Sequence, residues 1–324
     1  MRVKLIGLAL AAASACGFAQ TTAEPGYPSR TVRLVVPYGA GGVSDIIGRV
    51  VAQKLSEVLG QPVVVENRGG AGGMLGTGTV AKSAPDGYTL VLSSLSAYAI
   101  GPRLLKTSPY DPVTDFTAVG GVALTPTILT TGTSAPFRTV PELVAYAKAN
   151  PGRLNYGSSG IGSIGHISAE LLRAATGVEL THIPYKSAAF AYPDMISGNV
   201  SMVFDALPSA IQHIRSGKVR SVAMMSDRRS PLLPDVPTFA EAGYPSVTLR
   251  LWVGVHGPAG LPPAVVQRLN GALDKALAAP DLRERFASVG ADPFPIPAGE
   301  FGKMVREDVA TLGKTMDAAG IKPE

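Results

Sequence analysis

From Thr31 to Pro37 the chain is a nearly continuous β-branched and apolar run, the pattern of a strand buried on both faces of a parallel sheet. At Ser44 the period changes. Ile46, Ile47, Val50, Val51, Leu55, Val58 and Leu59 recur at helical spacing, and Gly60 supplies the stop. Pro62 to Glu66 reads as the next strand, Gly69 to Ser83 as a loop and second helix, and Tyr88 to Ser93 as a third strand. This βαβαβ order predicts a parallel sheet with right-handed crossovers.

A second series starts near Thr127. Ile128 to Thr131 reads as a strand, and Thr139-Val140-Pro141-Glu142 is a capping box that opens a helix through Ala149. Leu154 to Tyr156 leads through a glycine-rich turn into a helix ending at Ala175, and Val178 to Tyr185 is the following strand. A further helix precedes Asn199, Val200 to Phe204 is a strand, a helix ends near Gly217, and Val219 to Met225 closes the series. Leu233 to Pro245 is rich in turn residues and Val247 to Val255 is extended. Pro262 to Ala279, Asp281 to Val289 and Pro297 to Ala319 then read as three helices. Terminal helices without a sheet of their own must pack on one already formed. The chain is therefore expected to return to its first domain, crossing near Thr125 and near Leu251. The expected division is residues 26–125 with 251–324 as one domain and 126–250 as the other.

Two stretches share one device. Val35 to Asp45 and Leu154 to Ser163 each run strand, glycine-rich turn, helix. Such a turn points unpaired backbone N–H groups at one spot, where the helix dipole adds positive potential. Two of them a domain apart suggest a cleft that holds a small anion from both sides.

The N-terminus changes the picture of where this happens. Arg2 and Lys4 precede an apolar run from Leu5 to Ala15, and Gly17-Phe18-Ala19 offers small residues for cleavage before Gln20. Residues 1–19 thus read as an export signal, since the run falls short of the roughly 20 residues a membrane span needs. Cys16 is the only cysteine, so no internal disulfide can form. Ala13-Ser14-Ala15-Cys16 loosely resembles a lipoprotein processing site, which leaves anchoring at Cys16 open beside simple removal. The full-chain charge of +5 drops by the two signal-peptide cations, to about +3. Basic residues do not cluster and aromatics are sparse, so nucleic acid is not an expected partner.

Other chemistry finds less support. Gly160-Ile161-Gly162-Ser163-Ile164-Gly165 matches a dinucleotide fingerprint in letters, but the acidic residue about 20 positions on, Glu179, begins its strand instead of ending it. No P-loop and no G-x-S-x-G elbow is present. The four histidines, His166, His182, His213 and His256, lack paired metal-ligand spacing, so neither metal nor cofactor is expected. Ser159, His166 and Asp205 could be imagined as a triad, which keeps a secreted α/β serine hydrolase of small esters as the alternative.

Individual residues carry open alternatives. Asp45, in the first turn of its helix, either braces the loop or meets ligand. His166, one turn inside the second helix, hydrogen-bonds a ligand oxygen or braces its own loop. Asp205 ends a buried strand at the carboxyl edge, where α/β proteins bind ligands, and Ser93, Ser94 and Ser96 hold the equivalent edge in the first domain. Trp252, the only tryptophan, packs the second crossing or walls the cleft.

The chain resembles the periplasmic solute-binding proteins of tripartite tricarboxylate transporters, the Bug (TctC-like) family. The resemblance rests on Val35-Val36-Pro37-Tyr38-Gly39-Ala40-Gly41-Gly42-Val43-Ser44-Asp45, Val64-Val65-Glu66-Asn67-Arg68, Ala84-Pro85-Asp86-Gly87-Tyr88, Ser159 to His166, Ile183-Pro184-Tyr185-Lys186 and Leu233 to Gly243, in that order. It implies a two-domain Venus flytrap, each domain a mostly parallel sheet flanked by helices, with two hinge crossings. It also implies a monomer that binds a small organic carboxylate, performs no chemistry and serves a membrane permease. Carried over by motif position, Tyr38, Ala40, Gly41, Gly42 and Asp45 form one wall of the cleft. Ser159, Gly160, Gly162, Ser163 and His166 form the other, with Asp205 and Ser94 at the distal end of the ligand. The chain departs from the family where Gly39-Ala40 stand for prolines, and where Ser187 follows the Tyr-Lys pair in place of glycine.

Overall fold

The computed structural model describes residues 26–105, 107–318 and 321. The expected signal peptide, its cleavage point and Cys16 lie outside these residues. The opening βαβαβ unit forms as expected: β1 (Val32–Val36), α1 (Val43–Leu59), β2 (Val63–Asn67), α2 (Met74–Ala81) and β3 (Thr89–Ser94). β1 is central, parallel to β2 on one side and to β3 on the other. Gly60 ends α1 in the left-handed conformation and donates its N–H to the Ser56 carbonyl, a glycine C-cap.

After β3 the chain makes one wide π turn over Ser96–Ile100 and a short α3 (Gly101–Leu104), neither visible in the sequence pattern. It then enters β4 (Phe116–Gly132), a strand of 17 residues. Only Ile128 to Thr131 was expected to be strand here. The first half escaped because Gly120 and Gly121 weaken β propensity and two register shifts break the alternation of faces.

The second series follows as α4 (Val140–Ala149), β5 (Asn155–Ser158), α5 (Ile164–Thr176), β6 (Thr181–Pro184), α6 (Ala191–Ser197), β7 (Met202–Ala206), α7 (Leu207–Arg215) and β8 (Val219–Met225). The Thr139 hydroxyl accepts from the Glu142 N–H, as the capping box requires. β6 is shorter than the expected Val178 to Tyr185, being an edge strand with β5 as its one partner. The chain closes with β9 (Arg250–Pro258), α8 (Pro263–Ala278), α9 (Pro280–Val289), a two-residue β10 (Asp292–Pro293) and α10 (Ala298–Ala318).

The strands form one sheet ordered β2-β1-β3-β9-β4-β7-β5-β6, with β8 and β10 also paired to β4. The first half of β4 pairs with β9 and its second half with β7 and β8, so one continuous strand serves two lobes. Parallel pairing is confined to the outer strands. β4 and β9, which carry the chain between lobes, are antiparallel to every neighbour. The architecture is thus α/β with a mixed sheet: parallel where βαβ units build it, antiparallel where the crossings enter.

Because side chains alternate along strands, the sheet has two cores, one on each face. Val32, Leu34 and Val36 join Val203, Leu207 and the apolar stripe of α8 in one. Val35 joins Tyr98, Tyr156, Phe204, Trp252 and Phe301 in the other. Both cores run through both lobes. Trp252 is buried, meets Phe301 edge to face and donates its indole N–H to Asp308 at 2.7 Å, which ties α10 to the first lobe.

Candidate functional site

The carboxyl ends of the strands deliver their loops to one place. From the first lobe come the β1–α1 turn, residues 68–73 and the π turn after β3. From the second come residues 159–163 and 185–190. The two sets touch. The Gly39 N–H donates to the Lys186 carbonyl across the lobes at 3.2 Å. At Gly72 (φ +62°) a Cβ would stand 2.0 Å from the Ile161 carbonyl oxygen, and at Gly162 (φ +78°) one would stand 2.5 Å from the Gly101 Cα. These glycines face backbone with backbone, a separation that no side chain fits between. The lobes are closed on each other.

Behind these lips lies a cavity of about 380 Å³, counting its mouth. Of the residues the sequence singled out, Tyr38, Gly42, Ser94, Ser96, Ser159, Ser187 and Asp205 line it. Val43, Ser44, Ile164, Ala188 and Leu251 line it as well. Ala40, Gly41, Asp45, Gly160, Gly162, Ser163 and His166 are not among the lining residues.

The reasons are local. Asp45 turns back on its own loop: its carboxylate accepts from the Gly41 N–H at 3.0 Å and from the Asn67 amide at 2.9 Å, and pairs with Arg49 at 2.9 Å. Burial works to raise its carboxyl, and the bonds from Arg49, Gly41 and Asn67 outweigh that and hold it below the ordinary carboxylate range. Asp45 is therefore a brace. His166 behaves alike in the second lobe. Its Nδ1 accepts from the Gly162 N–H at 3.2 Å and its ring stacks on His182 at 4.4 Å. Burial pushes its pKa down, consistent with a neutral ring that accepts at Nδ1. Ser163 caps α5 by accepting from the His166 N–H. Gly160 and Gly162 belong to the lips, both with positive φ. Trp252 packs the core at the crossing, and its neighbour Leu251 faces the cavity.

The two helix ends differ in consequence. α5 is capped by Ser163, whereas α1 begins at Gly42 with no side-chain cap. The α1 end thus lacks a side-chain cap, and Gly42, Val43 and Ser44 at its start line the cavity. Beside it, the hydroxyls of Ser44 and Ser187, each about 1% exposed, make no hydrogen bond among the described residues. Tyr38 donates to the Gly72 carbonyl at 3.0 Å and lies 3.3 Å from Ser94 Oγ, so it holds the lip and the distal wall together. Burial raises its phenol pKa against the opposing bonds to Ser94 and Ser96.

Asp205 is the one ionisable carboxyl in the lining. It ends β7, 2% exposed, and accepts from the Ala206 N–H at 2.8 Å, from Tyr192 at 3.4 Å and from the Ser209 hydroxyl. Burial pushes its pKa up to about 7, against the lowering effect of the Ala206 and Tyr192 bonds. The imagined Ser159–His166–Asp205 triad does not assemble: His166 Nδ1 is engaged by Gly162, and Asp205 by Tyr192, Ser209 and Ala206. The short Ser–His contacts lie elsewhere, Ser93 to His256 at 2.7 Å and Ser158 to His182 at 2.6 Å, and none of these four residues lines the cavity. Among the described residues no cluster of His, Cys, Asp and Glu could hold a metal ion, and no helix is long and apolar enough to cross a membrane.

Comparison with known proteins gives a consistent answer. Residues 47–321 match the family described as the tripartite tricarboxylate transporter family receptor, TctC. Protein BugT of Bordetella pertussis is 39% identical over 290 residues, covering 89% of this chain and 88% of that protein. Among solved structures, Rpa4515 of R. palustris with adipate is 36% identical at a TM-score of 0.89, covering 92% of this chain and 100% of that one. MatC (Rpa3494) of Rhodopseudomonas palustris with bound malate is 32% identical at 0.84, covering 88% and 98%. The profile match and the whole-length likeness agree with the closed two-lobe cleft, and the chain belongs to the TctC family of tripartite tricarboxylate transporter receptors.

Proposed function

We propose that this protein captures a small organic carboxylate between its lobes, outside the cytoplasm, and delivers it to the membrane permease of a tripartite tricarboxylate transporter, as a monomer and without a chemical step. The observation that carries this reading is the cavity between the lobes set against the uncapped α1 N-terminus, with two buried hydroxyls beside it that make no hydrogen bond among the described residues. A carboxylate satisfies such donors from both lobes at once only when the lobes are closed, so binding and closure are linked. The adipate and malate in the two related structures support the ligand class. We place the lobes at residues 26–125 with 251–324 and at 126–250. In support, Thr125 and Leu251, where the chain crosses, are paired partners in the β4–β9 ladder.

The test is a thermal-shift panel on protein beginning at Gln20, unfolded and refolded to strip any ligand carried through purification. It spans mono-, di- and tricarboxylates, aromatic acids and acidic amino acids. Ligand at about a hundred times its Kd adds roughly 2.7 kcal/mol of stability. A selective shift without turnover is the expected result. A flat response across the panel overturns carboxylate capture.

A further inference from the structure

The polar lining of the cavity holds two kinds of group. One is the α1 N-terminus with Ser44 and Ser187. Ser44 lies in the first turn of α1, and a methyl group on Gly42 would stand 2.9 Å from Ser187 Oγ, which puts both hydroxyls at that helix end. They come from opposite lobes, and both are buried and without hydrogen bonds among the described residues. A buried hydroxyl left unpaired is costly, so two at one spot mark where a ligand's acceptor group belongs. The other charged feature of the cavity is Asp205. Among its described lining residues there is no Lys, Arg or His.

A carboxylate offers about four acceptor positions. Three at Asp205 are taken, by the Ala206 N–H and by the hydroxyls of Tyr192 and Ser209. All three neighbours donate, so the surroundings are built for an acceptor at this position, and one acceptor position is left. A second ionised carboxylate on the ligand would stand beside this buried carboxyl with no cation in the wall to stabilise it. A ligand donor would complete the set.

We propose that the ligand is a carboxylate whose second polar group is a hydrogen-bond donor, an ammonium or a hydroxyl, with its carboxylate between Ser44 and Ser187 at the α1 N-terminus and its donor on Asp205. This rests on the carboxylate-capture reading and narrows it. The diacids in the related structures define the alternative, in which both ends of the ligand are acids. Ser187 then acts on affinity for every carboxylate, while Asp205 sorts among them.

Isothermal titration of the refolded protein tests this with acids of three to six carbons, each length as four probes: the unsubstituted acid, the hydroxy acid, the amino acid and the diacid. The wild type is compared with Asp205→Asn and Ser187→Gly. At the best length, the donor-bearing acid binds about tenfold or more tighter than the diacid, and Asp205→Asn erases or inverts that preference. Ser187→Gly weakens all four probes by a similar factor. An amino acid far ahead of the hydroxy acid identifies charge pairing, and parity between them identifies hydrogen bonding alone; both outcomes support the assignment. Diacids binding tightest in the wild type overturn it while leaving carboxylate capture intact, and that comparison needs no variant to fold. Silence from every acid at every length removes the capture reading itself.

Discussion

Replacing Gly72 by alanine asks whether the lips meet in the ligand-bound protein. Gly72 sits at φ +62°, where an alanine costs about 1–2 kcal/mol in any state of the first lobe. The added Cβ would also stand 2.0 Å from the Ile161 carbonyl oxygen of the opposite lobe. Ordinary carbon–oxygen contact is about 3.4 Å, so closure must stop roughly 1.4 Å short at this point. The obstacle is backbone on both sides, and no side-chain rotation relieves it. Overpacking of this kind costs about 3 kcal/mol, which corresponds to an affinity loss of about 150-fold for a ligand that needs the closed state. Gly177 supplies the control. It has φ +71° at the end of α5 and nothing within 4 Å of its would-be Cβ, so Gly177→Ala carries the backbone strain without the clash. Denaturant unfolding of the ligand-free variants should show similar losses, on the order of 1 kcal/mol each. Titration with the acid giving the largest thermal shift should then separate them: Gly177→Ala at wild-type affinity, Gly72→Ala about a hundredfold weaker. If Gly72→Ala binds within about threefold of Gly177→Ala, the lips do not touch in the bound form and the closure argument fails.

Asp45→Ala removes a buried carboxylate that holds Gly41, Asn67 and Arg49 together, and should lower unfolding free energy by about 2 kcal/mol, read by urea titration. Asp205 titrates near 7 in the folded protein against an ordinary value of 3.8, so the native state holds a proton that the unfolded chain releases. Its contribution to stability therefore falls as pH rises from about 4 to 7, by up to about 4 kcal/mol, and Asp205→Asn should flatten that part of the stability–pH curve. His256 has the opposite sign. It is buried, and burial lowers its pKa to about 3, so stability is lost as pH falls from about 6.5 towards 3. His256→Gln, which keeps an amide within reach of Ser93, should blunt that acid limb, measured by the midpoint of acid unfolding.

What could be read in advance follows from how local each signal is. Helices in both lobes announced themselves because periodicity and caps are properties of neighbouring residues: α1 with its Gly60 stop in the first, α4 with its capping box in the second. β4 did not, since its first half owes its strand character to β9, more than a hundred residues later in the chain, and its own glycines and bulges argue against it. The same division holds at the site. The glycine-rich turns do each meet the opposite lobe, but the direction each side chain takes depends on partners that a motif does not show. Asp45 finds the Gly41 N–H four residues back and also Asn67 from the next strand, and so brings its carboxylate home. His166 does the same with Gly162. Asp205 was legible from its place at a strand's carboxyl end. That Ser44 and Ser187 stand unpaired on opposite lobes emerges only when every buried donor and acceptor is accounted for in three dimensions.

The sharing of β4 between lobes also sets an order of assembly. Its first half cannot complete its ladder until residues 250–258 exist to pair with it, as in the pairing of Phe116 with Pro258. The whole second lobe lies between those partners in the chain. During synthesis the first lobe must wait half-built, with the edge of β3 that β9 will pair with still open. The second lobe lacks that dependence, since β5, β6, β7 and β8 and the second half of β4 are contiguous in sequence. The lobe that begins the chain is thus the last to finish, and its waiting edge is where misassembly or a chaperone has the longest opportunity.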